Sequence, residues 1–249
     1  MDEQAYLEYD AESTGWLHRG RIELLKRLVG KATATRPSPR LLEVGAGVGQ
    51  NLDTLRSYGQ VDAGEIDPIG QDRIRARGTV GRLYTDPIPF EVDGQYDVVC
   101  ALDVLEHLID DADAMRWMAS LLVDGGHLVV TVPAFQWMFA DHDRALGHFR
   151  RYTRRSLRAL LPDDLEVVQI GYFNSLLFPA AAAARLGSKI RRRVRPKASG
   201  PAKQRSSVPR PVDGALYRIL RSEARAFEQR PVAPFGLSVA LLARRRLPV

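Results

Sequence analysis

Five residues in the first third of the chain have types and spacing that could hold a charged ligand. They are Glu43, then Gly45, Gly47 and Gly49 on alternate positions, and Glu65 twenty residues after the first glycine. A glycine turn after an apolar run lets backbone N–H groups and a helix amino terminus approach a ligand where a Cβ would collide. Glu43, two residues before that turn, would repel a phosphate and attract an ammonium or a sulfonium. Glu65 closes the run VDAGEI and can accept hydrogen bonds from both hydroxyls of a ribose. The dinucleotide fingerprint GxGxxG would need a third glycine where Gln50 stands; here it comes one place early, at Gly49, which disfavours a pyrophosphate. Acid, glycine turn, acid describes a cationic nucleoside.

A second group could move a proton. Of the five histidines, His18, His127 and His142 are the poorer base candidates. His148, in GHFRRYTRRSL, precedes Thr153, a plausible helix cap, and follows the loop that leaves a strand-like run. An imidazole titrating near ~6.5 can take a proton from an acceptor at neutral pH. A histidine packed against Tyr152 and bonded to backbone reads the sequence equally well. In DVLEHLIDD, Glu106, His107 and Asp110 could share a divalent ion. Neighbouring residues on a helix point apart, so no metal is expected, and the stretch reads instead as a capped helix start.

The elements that must position these residues follow from periodicity. WLHRGRIELLKRLV has helical spacing, and TRPSPR breaks it. Short apolar runs then alternate with helical stretches: RLLEVGAG, VDAGEI, YDVVCAL, GHLVVTV and LEVVQIGYF, with FGLSVALLARR closing the chain. That order predicts a parallel sheet covered on both faces. We expect a single domain over 1–249 with a helical cap at 1–36. A helical, basic and partly disordered insertion is expected at 175–231, ahead of the last strand.

Charge is uneven. The net charge is +6, yet the ten Lys or Arg from Arg185 to Arg210 meet no acid there, so the remainder of the chain is net negative, at −4. A nucleic-acid partner would have to rest on that segment alone, and it lacks interleaved aromatics; no DNA partner is expected. The single cysteine, Cys100, excludes an internal disulfide framework. The acidic start MDEQAYLEYDAES lacks a signal pattern, so a cytoplasmic location is expected. SLLFPAAAAARL is too short to span a bilayer at ~20 residues, but beside the cations it could lie against an anionic inner membrane face. The sequence leaves oligomeric state open.

From about Arg40 to Leu161, and again over the last strand, the chain resembles the class I S-adenosylmethionine-dependent methyltransferases. LLEVGAGVG is similar to their first motif, GEIDP to the second and TDPIPF to the loop after the third strand. YDVVCALDVLEHLID with LLVDGGHLVVTVP is similar to the fourth strand through the fifth. The resemblance implies a Rossmann-like, doubly wound, seven-stranded, mostly parallel sheet with its last strand antiparallel, and S-adenosyl-L-methionine as cofactor. It places Gly45, Gly47 and Gly49 under the methionine part with Glu43 nearby, and Glu65 on the ribose. Ile66 would lie against the adenine, Asp86 on its amino group (or in a plain turn before Pro87), and Leu102 and Asp103 beside the methyl donor. PAFQWMFADHDRALGHFRRY, with WLHRGR and YFNSLLFP, resembles a bacterial subgroup of that superfamily. On the acceptor side we expect Trp16, Trp137, Phe139, His142, Arg151, Tyr152 and Phe173, with His148 as base. Arg150, Arg151, Arg154 and Arg155 either meet an anionic acceptor or form a solvated face. The expected reaction is methylation of a small-molecule acceptor at oxygen; a lipid-linked or membrane-bound acceptor, or less readily an RNA, is the alternative.

Overall fold

The computed structural model describes residues 15–194, 208–229 and 233–247. Helix α1 (Trp16–Thr33) leads into β1 (Arg40–Val44), followed by α2 (Leu52–Arg56), β2 (Gln60–Gly64), α3 (Pro68–Arg77) and the short β3 (Leu83–Tyr84). Next come β4 (Tyr96–Leu102), a 3-10 turn at Leu105–His107, α4 (Asp111–Ser120) and β5 (Leu122–Pro133). The remaining elements are α5 (Asp141–Ala145), α6 (Arg154–Arg158), β6 (Leu165–Phe173), α7 (Phe178–Val194), α8 (Arg210–Gln229) and β7 (Ser238–Arg245).

The seven strands form one sheet in the order β3-β2-β1-β4-β5-β7-β6, parallel except where β7 runs antiparallel between β5 and β6. The expected Rossmann-like sheet is therefore present. Four of the five residues of β1 are buried, as are the last four of β2, because helices cover both faces of the sheet. One core packs Val44, Val99, Met115, Met118, Leu128 and Leu157 under α4 and α6. The opposite core packs Leu24, Leu28, Leu52, Ile74, Val98 and Leu242 under α1, α2 and α3. Chain order reverses between β1 and β4, so the crevice past their carboxyl ends is where such sheets take ligands.

Helix α8 also belongs to the second core. Leu220, Ala224 and Phe227 are buried in it, and Gly20 lets α1 approach so closely that a Cβ there would stand 2.4 Å from Leu220 Cδ1. Polar ties seal the contact: the Trp16 amide donates to Asp213 Oδ1 at 2.8 Å, and Arg19 pairs with the same carboxylate. The stretch expected as an insertion thus contributes a packed helix. Residues 195–207, where much of the basic tract and its expected disorder fall, lie outside the described residues, as do the first 14. Among the described residues no helix is long and apolar enough to cross a membrane.

The α1–α8 contact yields a non-additive prediction. Leu220→Ala should cost about 2–5 kcal/mol, and Gly20→Ala about 1–3 kcal/mol by overpacking. The double variant should lose less than the sum in urea unfolding, because the second substitution opens the space the first one fills. Strict additivity would mean the helices do not meet at this pair.

Candidate active site

All three glycines of the turn after β1 lie in the left-handed region, with φ of 67° at Gly45, 58° at Gly47 and 76° at Gly49. Side-chain-bearing residues avoid that region, which accounts for the alternate spacing. Space is also short: a Cβ on Gly45 would stand 2.7 Å from Val104 Cγ2, and one on Gly49 would stand 2.8 Å from Leu52 Cδ1. The turn is anchored to the next strand. The Gly47 amide donates to Glu65 Oε2 at 2.6 Å, the Asp67 amide donates to Glu65 Oε1 at 2.9 Å, and the Ala46 amide donates to the Gly64 carbonyl at 3.0 Å. Each carboxylate oxygen carries more than one lone pair, so Glu65 can still accept from a ligand.

Glu43 is the acidic floor of the site. It is 1% exposed, takes a 2.7 Å bond from Asn51 Nδ2 at Oε1, and leaves Oε2 with no partner. Burial pushes its carboxyl up to about 8, against the Asn51 bond, and nearby Glu65 adds to the rise. Burial likewise raises Glu65 despite the amides that hold its charge. Two acids disfavoured as anions beside a glycine turn are complementary to a cation.

The other expected donor residues lie along the same edge. Ile66 is 59% exposed, and Asp86 is exposed beyond β3. Leu102 ends β4; Asp103 follows at φ 58°, its amide bonded to the Thr131 carbonyl and its carboxylate paired with Arg21 of α1. Arg21 and His18 bring α1 beside the turn: burial lowers the His18 imidazole, and Arg21 and Arg77 add to that. Asn51, Arg21 and Gly70, whose added Cβ would lie 2.6 Å from the Gly47 carbonyl, are site residues that the sequence reading missed. A glycine in the first turn of the helix after β2 was the available signal for Gly70.

Beyond β4 and β5 the structure gathers a polar cluster. Thr153 caps α6 by accepting from the Ser156 amide, and the loop before it brings His148 to Asp143, with Nδ1 3.3 Å from Oδ1. Asp143 is fully buried and also takes the Ala140 amide at 2.8 Å and Arg151 Nε at 2.7 Å. Against the upward push of burial, His148, the Ala140 amide and Arg151 hold its carboxyl well below the usual range. The His148 and His107 rings meet edge to face, with centroids 4.6 Å apart. Although His107 reaches solvent, crowding around its ring and the neighbouring His148 push it down to about 4.

Three residues expected on the acceptor side have their side chains taken up by the fold. Arg151 is consumed by Asp143 and by the Ala134 carbonyl at 3.2 Å. Tyr152 is buried, its hydroxyl donating to Asp111 Oδ2 at 2.7 Å, and burial with that bond pushes its hydroxyl far above the usual range. Phe173 is 1% exposed, inside the core under α1 and α8. Tyr152 and Phe173 pack inward because their backbones lie in a bridge with Ala134 and in β6. Arg150 donates to the Ile109 carbonyl and pairs with Asp111, and the Arg154 guanidinium lies over the Tyr172 ring. Trp16 is half-buried, Phe139 is half-buried beneath Arg144, and His142 is exposed. An aromatic wall that sequence reading caught only at Trp137 runs from Tyr172 and Phe135 through Trp137 and Phe178 to Phe235, with successive centroids 4.8–6.2 Å apart.

Fold and site together define a ligand-binding α/β enzyme domain of the methyltransferase kind. Residues 16–169 match the family described as Methyltransferase domain, so the chain belongs to that family. It is 34% identical over 106 residues to a ubiquinone biosynthesis O-methyltransferase of Marinobacter nauticus, covering 37% of this chain and 43% of that protein. It is 29% identical over 130 residues to a ubiquinone/menaquinone biosynthesis C-methyltransferase of Ectopseudomonas mendocina, covering 47% of this chain and 49% of that one. The chain thus spans less than half the length of these curated relatives. Among solved structures it is similar to the N-methyltransferase NodS of Bradyrhizobium japonicum in complex with S-adenosyl-L-homocysteine, with a TM-score of 0.52, 15% identity, and 88% and 83% of the two chains covered. The [4+2]-cyclase SpnF is also similar, with a TM-score of 0.52, 20% identity, and 91% and 81% covered. These likenesses show a shared fold.

The raised carboxyl of Glu43 gives a signed pH prediction. Between its ordinary value of 4.5 and about 8, the folded chain holds a proton that the unfolded chain has released, so this contribution to stability falls as pH rises through that window. Glu43→Gln removes the slope. In urea unfolding the parent should lose stability relative to Glu43→Gln between pH 5 and 8, whereas parallel profiles would show that Glu43 is ionised in the folded state.

Proposed function

We propose that this chain transfers a methyl group from S-adenosyl-L-methionine to an oxygen of a small-molecule acceptor. The observation that carries the donor assignment is Glu43: a buried carboxylate with one oxygen unpartnered, beneath a turn of three left-handed glycines. A sulfonium nucleoside with an α-amino group supplies the missing positive charge and the ribose diol for Glu65. Gly45, Gly47 and Gly49 leave room for its methionine part, exposed Ile66 offers an adenine face and Asp86 an acceptor for the adenine amino group. Leu102 and Asp103 border the transferred methyl.

Transfer is an in-line displacement in which the positive charge disappears, so alignment and exclusion of water supply much of the rate. An oxygen nucleophile must also lose a proton. His148 suits that role: Asp143 orients Nδ1 and leaves the other ring nitrogen to accept. The aromatic wall from Phe135 to Phe235, with Trp16, Phe139 and His142, would flank the acceptor. The matched relatives include both an O-methyltransferase and a C-methyltransferase, so the choice of oxygen rests on the base at His148. In a titration with S-adenosyl-L-methionine, Glu65→Ala should weaken binding roughly 5- to 150-fold, equivalent to about 1–3 kcal/mol for hydroxyls left unpaired. Gly47→Val, which places a Cβ at positive φ, should abolish binding. Unchanged affinity in both folded variants would remove the donor assignment.

A membrane-associated acceptor is the second reading. Leu176, Trp137 and Phe235 are exposed around the carboxyl ends of β5 and β6, and Leu186 is exposed on α7, which opens the basic tract. If these residues lie in an anionic interface, with each nearby cation contributing about 1 kcal/mol, the chain should sediment with anionic vesicles at low salt and be released by salt. Protein that stays in the supernatant at low salt leaves only the soluble acceptor.

A further inference from the structure

We infer that Glu106, His107 and His148 form a divalent-metal site, of the kind that takes zinc, beside the donor cleft. Each offers one ligand atom, and the three atoms lie within 4.8 Å of one another. Atoms bound tetrahedrally to one ion at about 2.0–2.2 Å stand about 3.3–3.6 Å apart, so side-chain rotations that close the widest pair by about an ångström complete the site. The sequence argument against a metal was that Glu106 and His107, as helix neighbours, point apart, with Asp110 as the third candidate; the pair lies in the 3-10 turn Leu105–His107. Asp110 instead caps α4 by accepting from the Asp113 amide, and the third group is His148, 41 residues beyond His107. The two segments are tied together by the Phe149 amide, which donates to the Glu106 carbonyl at 2.7 Å.

The independent observation is Glu106 itself. It is fully buried, and neither carboxylate oxygen has a hydrogen-bond partner. The nearby cations Arg21 and Arg151 are taken by Asp103 and Asp143. A buried, unpartnered carboxylate facing two imidazoles is accounted for by a cation between them. The supporting contacts fit: with Nδ1 of His148 directed at Asp143, its Nε2 is the ligand, and the buried aspartate fixes the ring as carboxylates do for metal-bound histidines. Two nitrogens and one oxygen favour zinc, cobalt or iron over magnesium and calcium, which prefer oxygen sets. Three protein ligands with His107 facing solvent leave a position open for substrate.

This deepens the methyltransferase reading and rests on it, giving His148 the role of ligand in place of free base. The turn bearing Glu106 and His107 follows Leu102 and Asp103 directly, so an acceptor hydroxyl on the ion would stand next to the methyl donor. The ion lowers the pKa of a bound hydroxyl, whose proton leaves to solvent. The oxygen then forms a bond to the methyl carbon as the carbon–sulfur bond breaks, its electron pair going to sulfur, leaving a methyl ether and a neutral thioether.

The test uses the untagged full chain, stripped with a chelator and titrated with Zn2+ or Co2+ alone. We expect one equivalent bound, with the intense visible absorption of low-coordinate Co2+. His107→Ala and His148→Ala should each weaken Zn2+ binding by at least about 100-fold, beyond the 10- to 100-fold typical of losing an outer-shell partner. His107 lies at the surface, so its variant keeps the assay valid even if Glu106→Gln fails to fold. Aquo-like Co2+ spectra in the parent, or equal Zn2+ affinity in parent and variants, would overturn the proposal. Calorimetry with S-adenosyl-L-homocysteine on the same stripped protein separates the two readings. Absence of that binding sinks the methyltransferase assignment, while the Co2+ spectra decide the metal.

Discussion

The hydrogen bond from the Gly47 amide to Glu65 joins the ends of β1 and β2, and the ligand-facing edge depends on it. Without the left-handed glycines that amide could not turn toward β2, and without Glu65 the turn would lose its side-chain anchor there and keep only the bond from the Ala46 amide to the Gly64 carbonyl. The same constraint explains Gly70: a side chain there would collide with the Gly47 carbonyl. Glu43 sits beneath this fixed turn, buried and half-satisfied, because the turn is held by Glu65 rather than by it.

Strand direction does the rest of the gathering. β1 through β5 run parallel, and β6 shares their direction because β7 is antiparallel to both β5 and β6. Their carboxyl ends therefore lie along one edge, with Glu65, Asp103 and Phe135 each placed just past a strand. Asp143 then organises the loop beyond β5, drawing in His148, Arg151 and the Ala140 amide. That loop brings His148 against Glu106 and His107, so chemistry from the β4 and β5 ends meets beside Asp103.

The donor half of this arrangement was legible in the sequence because it is local. Alternate glycines, an acid two residues before them and another after the second strand are all set by backbone geometry within 23 residues of Glu43. Sheet order followed from alternating apolar runs. The acceptor half was less legible because loop residues have no fixed periodicity: Tyr152 and Arg151 turn inward to Asp111 and Asp143, and Phe173 continues β6 into the core. Long-range packing was hidden as well. Nothing local marks Gly20 as the seat for Leu220, 200 residues away, or His148 as the neighbour of His107.

The claim on which the account turns is that Glu43 is held neutral until a cation arrives. Calorimetry of S-adenosyl-L-methionine binding near pH 7, in buffers of different ionisation enthalpy, measures this directly. A carboxyl raised to about 8 should release up to about one proton as the ligand's positive charge restores its ionised form. The apparent enthalpy should then depend on buffer in the parent and not in Glu43→Gln. A parent enthalpy that is the same in every buffer would contradict the account.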